Sequence, residues 1–312
     1  MSRDILVTGA AGFVGSEVAR KLSIRGYSVI RASRQTLDGP GKLLEIRSLC
    51  DLSEHSETLQ NVDTVVHCAA RAHIMNDEVT DPLAEYREVN VNGTLSLARQ
   101  AAEAGVRRFI FISSIKVNGE QTPLNKPFTA DDAPAPLDAY GISKMEAEQG
   151  LRALATETGM EVVIIRPPLV YGPGVKGNFA SMIRLVEKGL PLPLGAIHNK
   201  RSLVGLDNLV DLIITCVDHP AAADQVFLAG DGEDLSTTEL LKGVAKASNK
   251  RPRLIPVPAG ILTLGATMLG KKAMAQRLLD SLQVDISKAR NLLGWQPPLD
   301  VEQGLKRCFP DQ

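Results

Sequence analysis

The sequence predicts an α/β protein that contains a doubly wound parallel sheet and a smaller C-terminal lobe. The first observation is that short apolar runs alternate with longer amphipathic segments from the first residues onward. The second is that these runs are continuously apolar, which is typical of strands that helices cover on both faces of a parallel sheet. The third is a change after Arg166, where proline- and glycine-rich loops separate shorter elements.

Six strands and three helices are predicted in order before that change. The predicted strands are 5–7, 27–30, 43–46, 64–68, 108–112 and 161–165. The predicted helices are 15–25, 83–104 and 140–158, each of which lies between two strands as a parallel crossover requires. We therefore expect residues 1–166 to form the sheet domain, a segment near 202–231 to return to it, and 167–312 to form the smaller lobe.

Composition and charge restrict the class of protein. The 312 residues have a net charge of −1, and 44% are hydrophobic and 23% charged. These values are typical of a globular protein and exclude the basic excess of a general nucleic-acid binder. The four cysteines lack disulfide or metal-ligand spacing, so we expect neither a disulfide nor a metal site. The chain enters a strand directly, and its longest apolar stretch, 257–269, is too short to cross a bilayer, so we expect a cytoplasmic protein.

A glycine-rich loop joins the first strand to the first helix. It reads Thr-Gly-Ala-Ala-Gly-Phe-Val-Gly from residue 8 to residue 15. Gly9 permits the tight turn, Gly12 lets the backbone approach a pyrophosphate at the helix N-terminus, and Gly15 allows the helix to pack closely on the strand. Together with Phe13 and Val14, these glycines predict a Rossmann-type domain that binds a dinucleotide cofactor.

The end of the second strand predicts which dinucleotide is bound. A carboxylate there would bind the ribose 2′-hydroxyl of NAD, but the sequence is Arg31-Ala-Ser-Arg34. A 2′-phosphate requires cations and hydroxyl donors, which Arg34 and Ser33 supply, with Arg31 as a further cation. We therefore expect NADP(H), with NAD(H) as the alternative in which these arginines are only solvated.

Two further strand ends are expected to contact the cofactor. Asp51 and Leu52 follow the third strand, where the adenine would lie. Ala69, Ala70 and Arg71 follow the fourth strand, next to the pyrophosphate and the nicotinamide ribose. Both expectations follow from the rule that an open parallel sheet binds its ligand at the carboxyl ends of the strands.

Tyr140 and Lys144 are the candidate proton-handling residues. They lie four residues apart on one predicted helix, so both side chains belong to one face. An ammonium group near a phenol lowers the pKa of the tyrosine towards neutrality, which suits it to acid–base chemistry at a carbinol carbon. An exposed helix that carries a solvated lysine is the competing interpretation.

Polar residues at two other positions complete the candidate site. Ser113 and Ser114 end the fifth strand, where a hydroxyl can bind a substrate oxygen and share its proton with Tyr140. Serine also occurs at strand ends for turn formation alone. Asn90 lies inside a predicted helix, where asparagine is disfavoured unless its amide has a partner. We expect it either to join a water relay or to hydrogen bond to backbone groups at a kink in the helix.

The combination of these motifs resembles the extended short-chain dehydrogenase/reductases, and within them the nucleotide-sugar epimerase, dehydratase and reductase branch. The resemblance covers essentially the whole chain. The segments that carry it are Thr8–Gly15, Asp51-Leu52, Asn90–Thr94, Ser113-Ser114, Tyr140–Lys144, Arg166–Gly174, Gly177–Phe179, Arg201–Val204, Asp285–Ala289 and Leu293–Trp295.

The resemblance implies a role for several residues. Ser114 would be the catalytic serine, Tyr140 the acid and base, and Lys144 would bind the nicotinamide ribose and tune Tyr140. Asn90 and Pro167 would lie against the cofactor. The resemblance also implies a homodimer that forms through a helix pair.

The same resemblance implies a UDP-sugar substrate. Asn178 and Arg201 would contact its nucleotide diphosphate, with Arg277 as a weaker candidate for that role. Ser113 and Ser114 would contact the sugar. A helix cap at Asn178, a structural Arg201 and a surface salt bridge at Arg277 are the alternative interpretations.

The sequence distinguishes among the reactions of this branch only in part. The dehydratases of the branch carry Asp-Glu after the serine, whereas Ile115-Lys116 follows Ser114 here, which disfavours dehydration. The segments 67–74 and 114–119 resemble the 4-keto reductases that form UDP-N-acetylquinovosamine for surface polysaccharides such as lipopolysaccharide. We expect an NADPH-dependent reductase that acts at C4 of a UDP-4-keto-6-deoxy-N-acetylhexosamine. A UDP-glucose or UDP-N-acetylglucosamine 4-epimerase with bound NAD is the alternative, and a non-catalytic dinucleotide sensor is a further one.

Overall fold

The computed structural model describes residues 4–49, 56–71, 81–270 and 272–309. These residues form ten strands. The strands are β1 (Asp4–Thr8), β2 (Val29–Ser33), β3 (Lys42–Glu45), β4 (Val62–His67), β5 (Arg108–Ile112), β6 (Glu161–Arg166), β7 (Leu169–Tyr171), β8 (Arg201–Gly205), β9 (Val226–Leu228) and β10 (Asp234–Leu235).

The same described ranges contain twelve α-helices. The helices are α1 (Phe13–Ile24), α2 (Ser56–Leu59), α3 (Pro82–Arg87), α4 (Thr94–Glu103), α5 (Ala139–Thr158), α6 (Gly177–Glu187), α7 (Leu206–Asp218), α8 (Thr237–Ala247), α9 (Ala259–Met268), α10 (Lys272–Leu279), α11 (Ser287–Leu293) and α12 (Val301–Arg307). Over the part of the chain that the structure describes, no helix has both the length and the apolar character needed to cross a membrane.

The large sheet has seven described strands in the order β3-β2-β1-β4-β5-β6-β9, and each neighbouring pair is parallel. The chain moves outwards from β1 to β3 and then crosses to β4 on the other side of β1. The carboxyl ends of β1 and β4 therefore border the crevice in which such sheets bind their ligands. This arrangement confirms the predicted doubly wound α/β fold.

Helices cover both faces of the large sheet because successive residues of a strand point to opposite faces. In β1, Ile5 and Val7 pack in the apolar cluster that includes α1 and α7. Leu6, between them, packs in the cluster that includes α4 and α5. Burial on both faces explains why the strand sequences are continuously apolar.

A smaller sheet follows β6 and has the order β10-β8-β7. A separate apolar core, to which Tyr171, Phe179 and Leu241 belong, packs against it. Between β8 and β10 the chain returns to the large sheet, since α7 packs in the cluster with α1 and β9 pairs with β6. On this basis we retain the division into a sheet domain, 1–166 with a segment near 202–231, and a smaller lobe as a proposal.

The predicted helix 83–104 is not one continuous α-helix. A π-helical segment, Glu88–Gly93, separates α3 from α4. Asn90 lies inside this segment and is buried. Single π-helical turns within α-helices occur often at functional sites, so this difference from the prediction points to the region around Asn90.

Candidate active site

The loop between β1 and α1 needs glycine at two positions because the backbone is crowded there. Gly9 has a φ of +65°, and a Cβ on it would lie 2.7 Å from the amide nitrogen of Ala69. A Cβ on Gly15 would lie 2.3 Å from the carbonyl oxygen of Gly9. The turn is closed by a 2.8 Å hydrogen bond from the amide of Gly12 to that carbonyl. The first turn of α1 is thereby held close to the ends of β1 and β4.

The N-terminus of α1 is suited to a phosphate group. Its N-cap residue is Gly12, which has no capping side chain, and the first turn carries no acidic residue. Ala11 and Gly12 are exposed, whereas Phe13 and Val14 are half-buried and pack against the core that contains α1. The first amides of a helix attract anions because they have no partners within the helix and lie at the positive end of its dipole. This loop therefore fits the pyrophosphate of a dinucleotide.

The end of β2 differs from the expectation for a 2′-phosphate site. Arg31 is buried, and its guanidinium donates 2.9 Å hydrogen bonds to the carbonyl oxygens of Asp38 and Gly39. Arg31 therefore holds the loop after β2 in place, and the expectation that it is a phosphate-binding cation is wrong. Ser33 is buried and accepts a hydrogen bond from the amide of Gln35 at 3.1 Å. Arg34 is exposed. Asp51 and Leu52 lie outside the described residues.

A buried histidine connects β1, β4 and α4. The ring of His67 hydrogen bonds to Thr8 Oγ1 at 2.7 Å through Nδ1 and to Thr94 Oγ1 at 3.0 Å through Nε2. Burial, with a smaller contribution from Lys144, lowers the pKa of His67 to about 3, so the ring is neutral. Thr8 Oγ1 also accepts a hydrogen bond from the amide of Ala69 at 3.3 Å. This series of hydrogen bonds holds the start of the loop after β4, where Ala69, Ala70 and Arg71 lie.

His67 was not among the predicted site residues. The available signal was a histidine at the end of an apolar strand, beside the glycine loop. That signal also fits an ordinary buried histidine, so the sequence alone did not separate the two.

Asn90 connects the loop after β4 to α5. Its Oδ1 accepts a hydrogen bond from the amide of Arg71 at 2.8 Å, and its Nδ2 donates to the carbonyl of Arg71 at 3.2 Å. The same Nδ2 donates to Ser143 Oγ at 3.1 Å, and Ser143 Oγ donates to the carbonyl of Tyr140 at 2.8 Å. Asn90 thus fixes the backbone of Arg71 relative to the first turn of α5. Of the two expected roles, these contacts fit the one in which the Asn90 amide finds hydrogen-bond partners at an irregularity in the helix.

Tyr140 lies in the first turn of α5. Asp138 caps this helix by accepting a 2.7 Å hydrogen bond from the amide of Gly141. The ring of Tyr140 packs edge-on against Tyr86, with 5.8 Å between the ring centroids. Burial, followed by the charge of Asp138 and the nearby Tyr86, raises the pKa of Tyr140 above its ordinary value of about 10. The expected lowering of this pKa by a lysine is therefore not found.

Lys144 is 2% exposed and lies one turn further along α5. Its Nζ donates a 2.8 Å hydrogen bond to the carbonyl of Ile112 at the end of β5, and it lies 4.4 Å from the centroid of the Phe111 ring. Burial lowers the pKa of Lys144 to about 8. These contacts place a buried amine at the carboxyl end of β5.

The two serines at the end of β5 have different environments. Ser113 is buried, and its Oγ donates a 2.5 Å hydrogen bond to Glu148, which forms a buried ion pair with Arg166. Its hydroxyl proton is thus engaged by a structural carboxylate, and the contact of Ser113 with substrate stays a prediction. Ser114 is half-buried and begins a short 3₁₀ turn, in which its Oγ accepts a 3.3 Å hydrogen bond from the amide of Lys116. Ser114 retains its own hydroxyl proton for donation.

Lys116 and Pro167 support the segment that carries Ser114. The ammonium of Lys116 forms ion pairs with Glu120, at 3.2 Å, and with Asp138. The carbonyl of Pro167 accepts a 3.0 Å hydrogen bond from the amide of Ile115. The cation Lys116 therefore lies second after Ser114, where the dehydratases that the sequence resembles carry an acidic residue.

The predicted substrate residues of the smaller lobe lie on three elements. Asn178 is exposed in the first turn of α6, whose N-cap is Lys176, so Asn178 does not cap that helix. Arg201 is half-buried at the start of β8 and donates a 3.0 Å hydrogen bond from Nη1 to the carbonyl of Asp280. Burial lowers the pKa of Arg201. Arg277 is exposed on α10.

Comparison with known proteins identifies the family. A family profile described as the NAD dependent epimerase/dehydratase family matches residues 5–230. The chain belongs to this family. A UDP-glucose 4-epimerase from Vibrio cholerae is 51% identical over 310 residues, which cover 98% of this chain and 94% of that protein. Membership of the NAD dependent epimerase/dehydratase family confirms the resemblance to the extended short-chain dehydrogenase/reductases and the expectation of an NAD(P)-dependent enzyme.

Two solved structures of related proteins share the fold. UDP-glucose 4-epimerase from Thermotoga maritima, with UDP-glucose, has a TM-score of 0.78 and is 27% identical, over 98% of this chain and 97% of that chain. MoeE5 in complex with UDP-glucuronic acid and NAD has a TM-score of 0.77 and is 27% identical, over 97% of both chains. Both likenesses extend over the large sheet and the smaller lobe, since they cover nearly the whole chain.

Proposed function

We propose that the protein is a nucleotide-sugar 4-epimerase that acts on a UDP-hexose and uses NAD. The observation that carries this proposal is the 51% identity to the Vibrio cholerae UDP-glucose 4-epimerase along almost the full length of both chains. UDP-glucose is the first substrate to test, and UDP-N-acetylglucosamine the second. The proposal replaces the NADPH-dependent reductase that the sequence alone favoured.

The cofactor part of the proposal rests on the loop between β1 and α1 and on Arg31. Two glycines without room for a Cβ and an uncapped helix N-terminus fit a dinucleotide pyrophosphate. Arg31 is engaged by backbone carbonyls, so the cluster of cations expected for a 2′-phosphate is reduced to Arg34. When bound, NAD would accept a hydride from the sugar and later return it.

Proton transfer at the sugar C4 hydroxyl is assigned to Tyr140 and Ser114. As a phenolate, Tyr140 would take the hydroxyl proton while C4 is oxidised, and the phenol so formed would return that proton while C4 is reduced. The hydroxyl of Ser114 would hydrogen bond to the C4 oxygen and keep it directed at the phenol. Because burial raises the pKa of Tyr140, the resting phenol is protonated and must first lose that proton to solvent, so a positive charge near it is needed to favour the phenolate. We assign part of that charge to Lys144, whose ammonium is buried on the same helix.

The nucleotide diphosphate is assigned to the smaller lobe. Arg201 uses Nη1 for the carbonyl of Asp280, and a guanidinium has further N–H donors that suit a pair of phosphate oxygens. Asn178 offers an exposed amide at the start of α6. Arg277, which is exposed on α10, stays the weaker candidate.

The reductase is the second candidate function, and one observation favours it. The residues from Arg31 to Arg34 contain no carboxylate, and Arg34 is exposed. If the protein is an NADPH-dependent C4 reductase, Arg34→Ala should weaken NADPH binding far more than NADH binding. Similar effects on both cofactors would favour the epimerase.

A pair of incubations separates these two functions. In the first, the purified protein receives UDP-glucose or UDP-galactose, and the sugars are quantified by chromatography. The epimerase should interconvert them with no net change in absorbance at the reduced nicotinamide band. In the second, it receives a UDP-4-keto-6-deoxy-N-acetylhexosamine and NADPH. Stoichiometric NADPH oxidation there, without interconversion in the first incubation, would contradict the proposal.

A further inference from the structure

The helix α9 is apolar and lies on the surface of the smaller lobe. Its ten residues include no charged side chain, and none of the ten is buried. Ile261, Leu264 and Met268 are 61%, 59% and 77% exposed, and their spacing places them on one face of the helix. An apolar helix is normally buried against other elements, so this face lacks the contact that its composition requires.

The exposed apolar surface extends beyond α9. Of the 14 large hydrophobic side chains that are exposed among the described residues, six lie between 255 and 278. These six are Ile255, Ile261, Leu264, Met268, Leu269 and Leu278. A concentration of this kind on a folded protein marks an interaction surface.

The same segment is strongly basic. Between 250 and 279 the sequence contains six lysine and arginine residues and no aspartate or glutamate, although the whole chain has a net charge of −1. Arg251 and Arg253 are exposed before α9, and Arg277 is exposed after it on α10. The partner of this surface must therefore combine negative charge with an apolar layer.

The segment is held firmly on the lobe at both ends. Before α9, Leu192 pairs with Leu254 and Ala196 pairs with Pro258, and the amide of Gly195 donates a 2.9 Å hydrogen bond to the carbonyl of Ile255. After α10, Arg201 pairs with Leu282. The exposed surface is thus part of the folded lobe, since backbone pairing fixes the segment at both ends.

We propose that α9 and its flanking cations dock on the surface of an anionic phospholipid bilayer. A helix of ten residues is about 15 Å long, half the thickness of the hydrocarbon layer, so α9 lies in the boundary between headgroups and acyl chains and does not cross it. The flanking arginines lie at the level of the phosphates. A second copy of the chain is a poorer partner, because two such surfaces would bring the exposed Arg251, Arg253 and Arg277 of each copy together.

Docking would place the candidate diphosphate site close to the bilayer. Arg201 lies in the strand that anchors the end of the α9–α10 segment. The docking itself does not depend on the proposed reaction, because Ile261, Leu264 and Met268 lie outside the candidate active site.

Sedimentation with vesicles tests the proposal. The full-length protein is mixed with vesicles of phosphatidylglycerol and phosphatidylethanolamine, and separately with vesicles of phosphatidylcholine alone. It should sediment with the first and much less with the second, and added salt should release it. Equal sedimentation with both, or none with the anionic vesicles, would overturn the proposal.

A double variant with a matched control tests the role of α9. Leu264→Gln with Met268→Gln should weaken binding to the anionic vesicles about tenfold or more, since both side chains leave the apolar layer. Ile24→Gln with Leu124→Gln changes side chains that are 65% and 55% exposed elsewhere and should leave binding unchanged.

Two further measurements on these variants distinguish a loss of vesicle binding from a loss of folding and from a change in oligomeric state. Circular dichroism and turnover of a UDP-sugar in vesicle-free buffer should match the unsubstituted protein, so that a loss of vesicle binding is not a loss of folding. Light scattering should give the same oligomeric mass for all of them. A smaller mass in the α9 variant would mean that a second copy covers this surface, and unchanged vesicle binding would mean that nothing docks there; either result overturns the proposal.

Discussion

At the scale of single residues, the environment of Tyr140 gives the first prediction. Tyr140→Phe removes the hydroxyl that the proposed mechanism uses as acid and base at the C4 oxygen. Turnover should fall by about 10²–10⁴-fold, the usual contribution of a general acid or base. The aromatic contact with Tyr86 is kept, so the melting temperature and the NAD affinity from calorimetry should stay nearly unchanged. Turnover within a few-fold of the unsubstituted protein would show that another residue transfers the proton.

The buried amine of Lys144 gives a prediction about stability and pH. Burial lowers its pKa to about 8, so the folded protein binds fewer protons than the unfolded chain between about pH 8 and pH 10. The burial of this charge is fully unfavourable below pH 8, and its cost disappears as the pH rises towards the unfolded pKa. The cofactor-free protein should therefore gain stability relative to a Lys144→Met variant by up to about 3 kcal/mol over that range.

Urea unfolding at several pH values measures this difference. The same substitution at Lys306, whose side chain is 60% exposed, is the control. A difference between the Lys144→Met variant and the unsubstituted protein that stays constant with pH would mean that Lys144 titrates alike in the folded and unfolded states.

At the scale of elements, the π-helical segment between α3 and α4 positions the loop after β4. Asn90→Ala would leave the amide and the carbonyl of Arg71 without their side-chain partner. We expect a loss of about 2–4 kcal/mol in the free energy of unfolding and a weaker affinity for NAD. Asn92→Ala is the matched control, since Asn92 lies in the same segment, is exposed, and bonds to Glu88. Equal effects of the two substitutions in urea unfolding and NAD titration would contradict the role of Asn90.

The same scale shows how far the sequence could predict the structure. Six of the seven described strands of the large sheet and the glycine loop were predictable because each is determined by residues close in sequence, whereas β9 was expected only as part of a segment that returns to the sheet domain. The hydrogen-bond partners of Ser113 and Arg31 were not predictable from the sequence. Ser113 donates a hydrogen bond to Glu148 on α5. Whether that carboxylate or a substrate accepts this hydrogen bond depends on how α5 packs against β5. Arg31 bonds to a loop that folds back onto β2, which its local sequence does not reveal.

At the scale of the whole molecule, the two sheets separate the proposed tasks. The large sheet carries the dinucleotide loop and the residues that handle the proton, and the smaller lobe carries Arg201 and the exposed helix α9. The homodimer, the cytoplasmic location and the link to surface polysaccharides stay predictions from the sequence. The central claim is that the protein inverts C4 by oxidising it and reducing it again at the same carbon.

Retention of an isotope at that carbon tests the claim most directly. UDP-glucose that carries deuterium at C4 is incubated with the protein in ordinary water, and the products are examined by NMR. UDP-galactose should appear with the deuterium still on C4, because the hydrogen leaves and returns as hydride without exchange with water. UDP-galactose with solvent hydrogen at C4, or no UDP-galactose at all, would contradict the account.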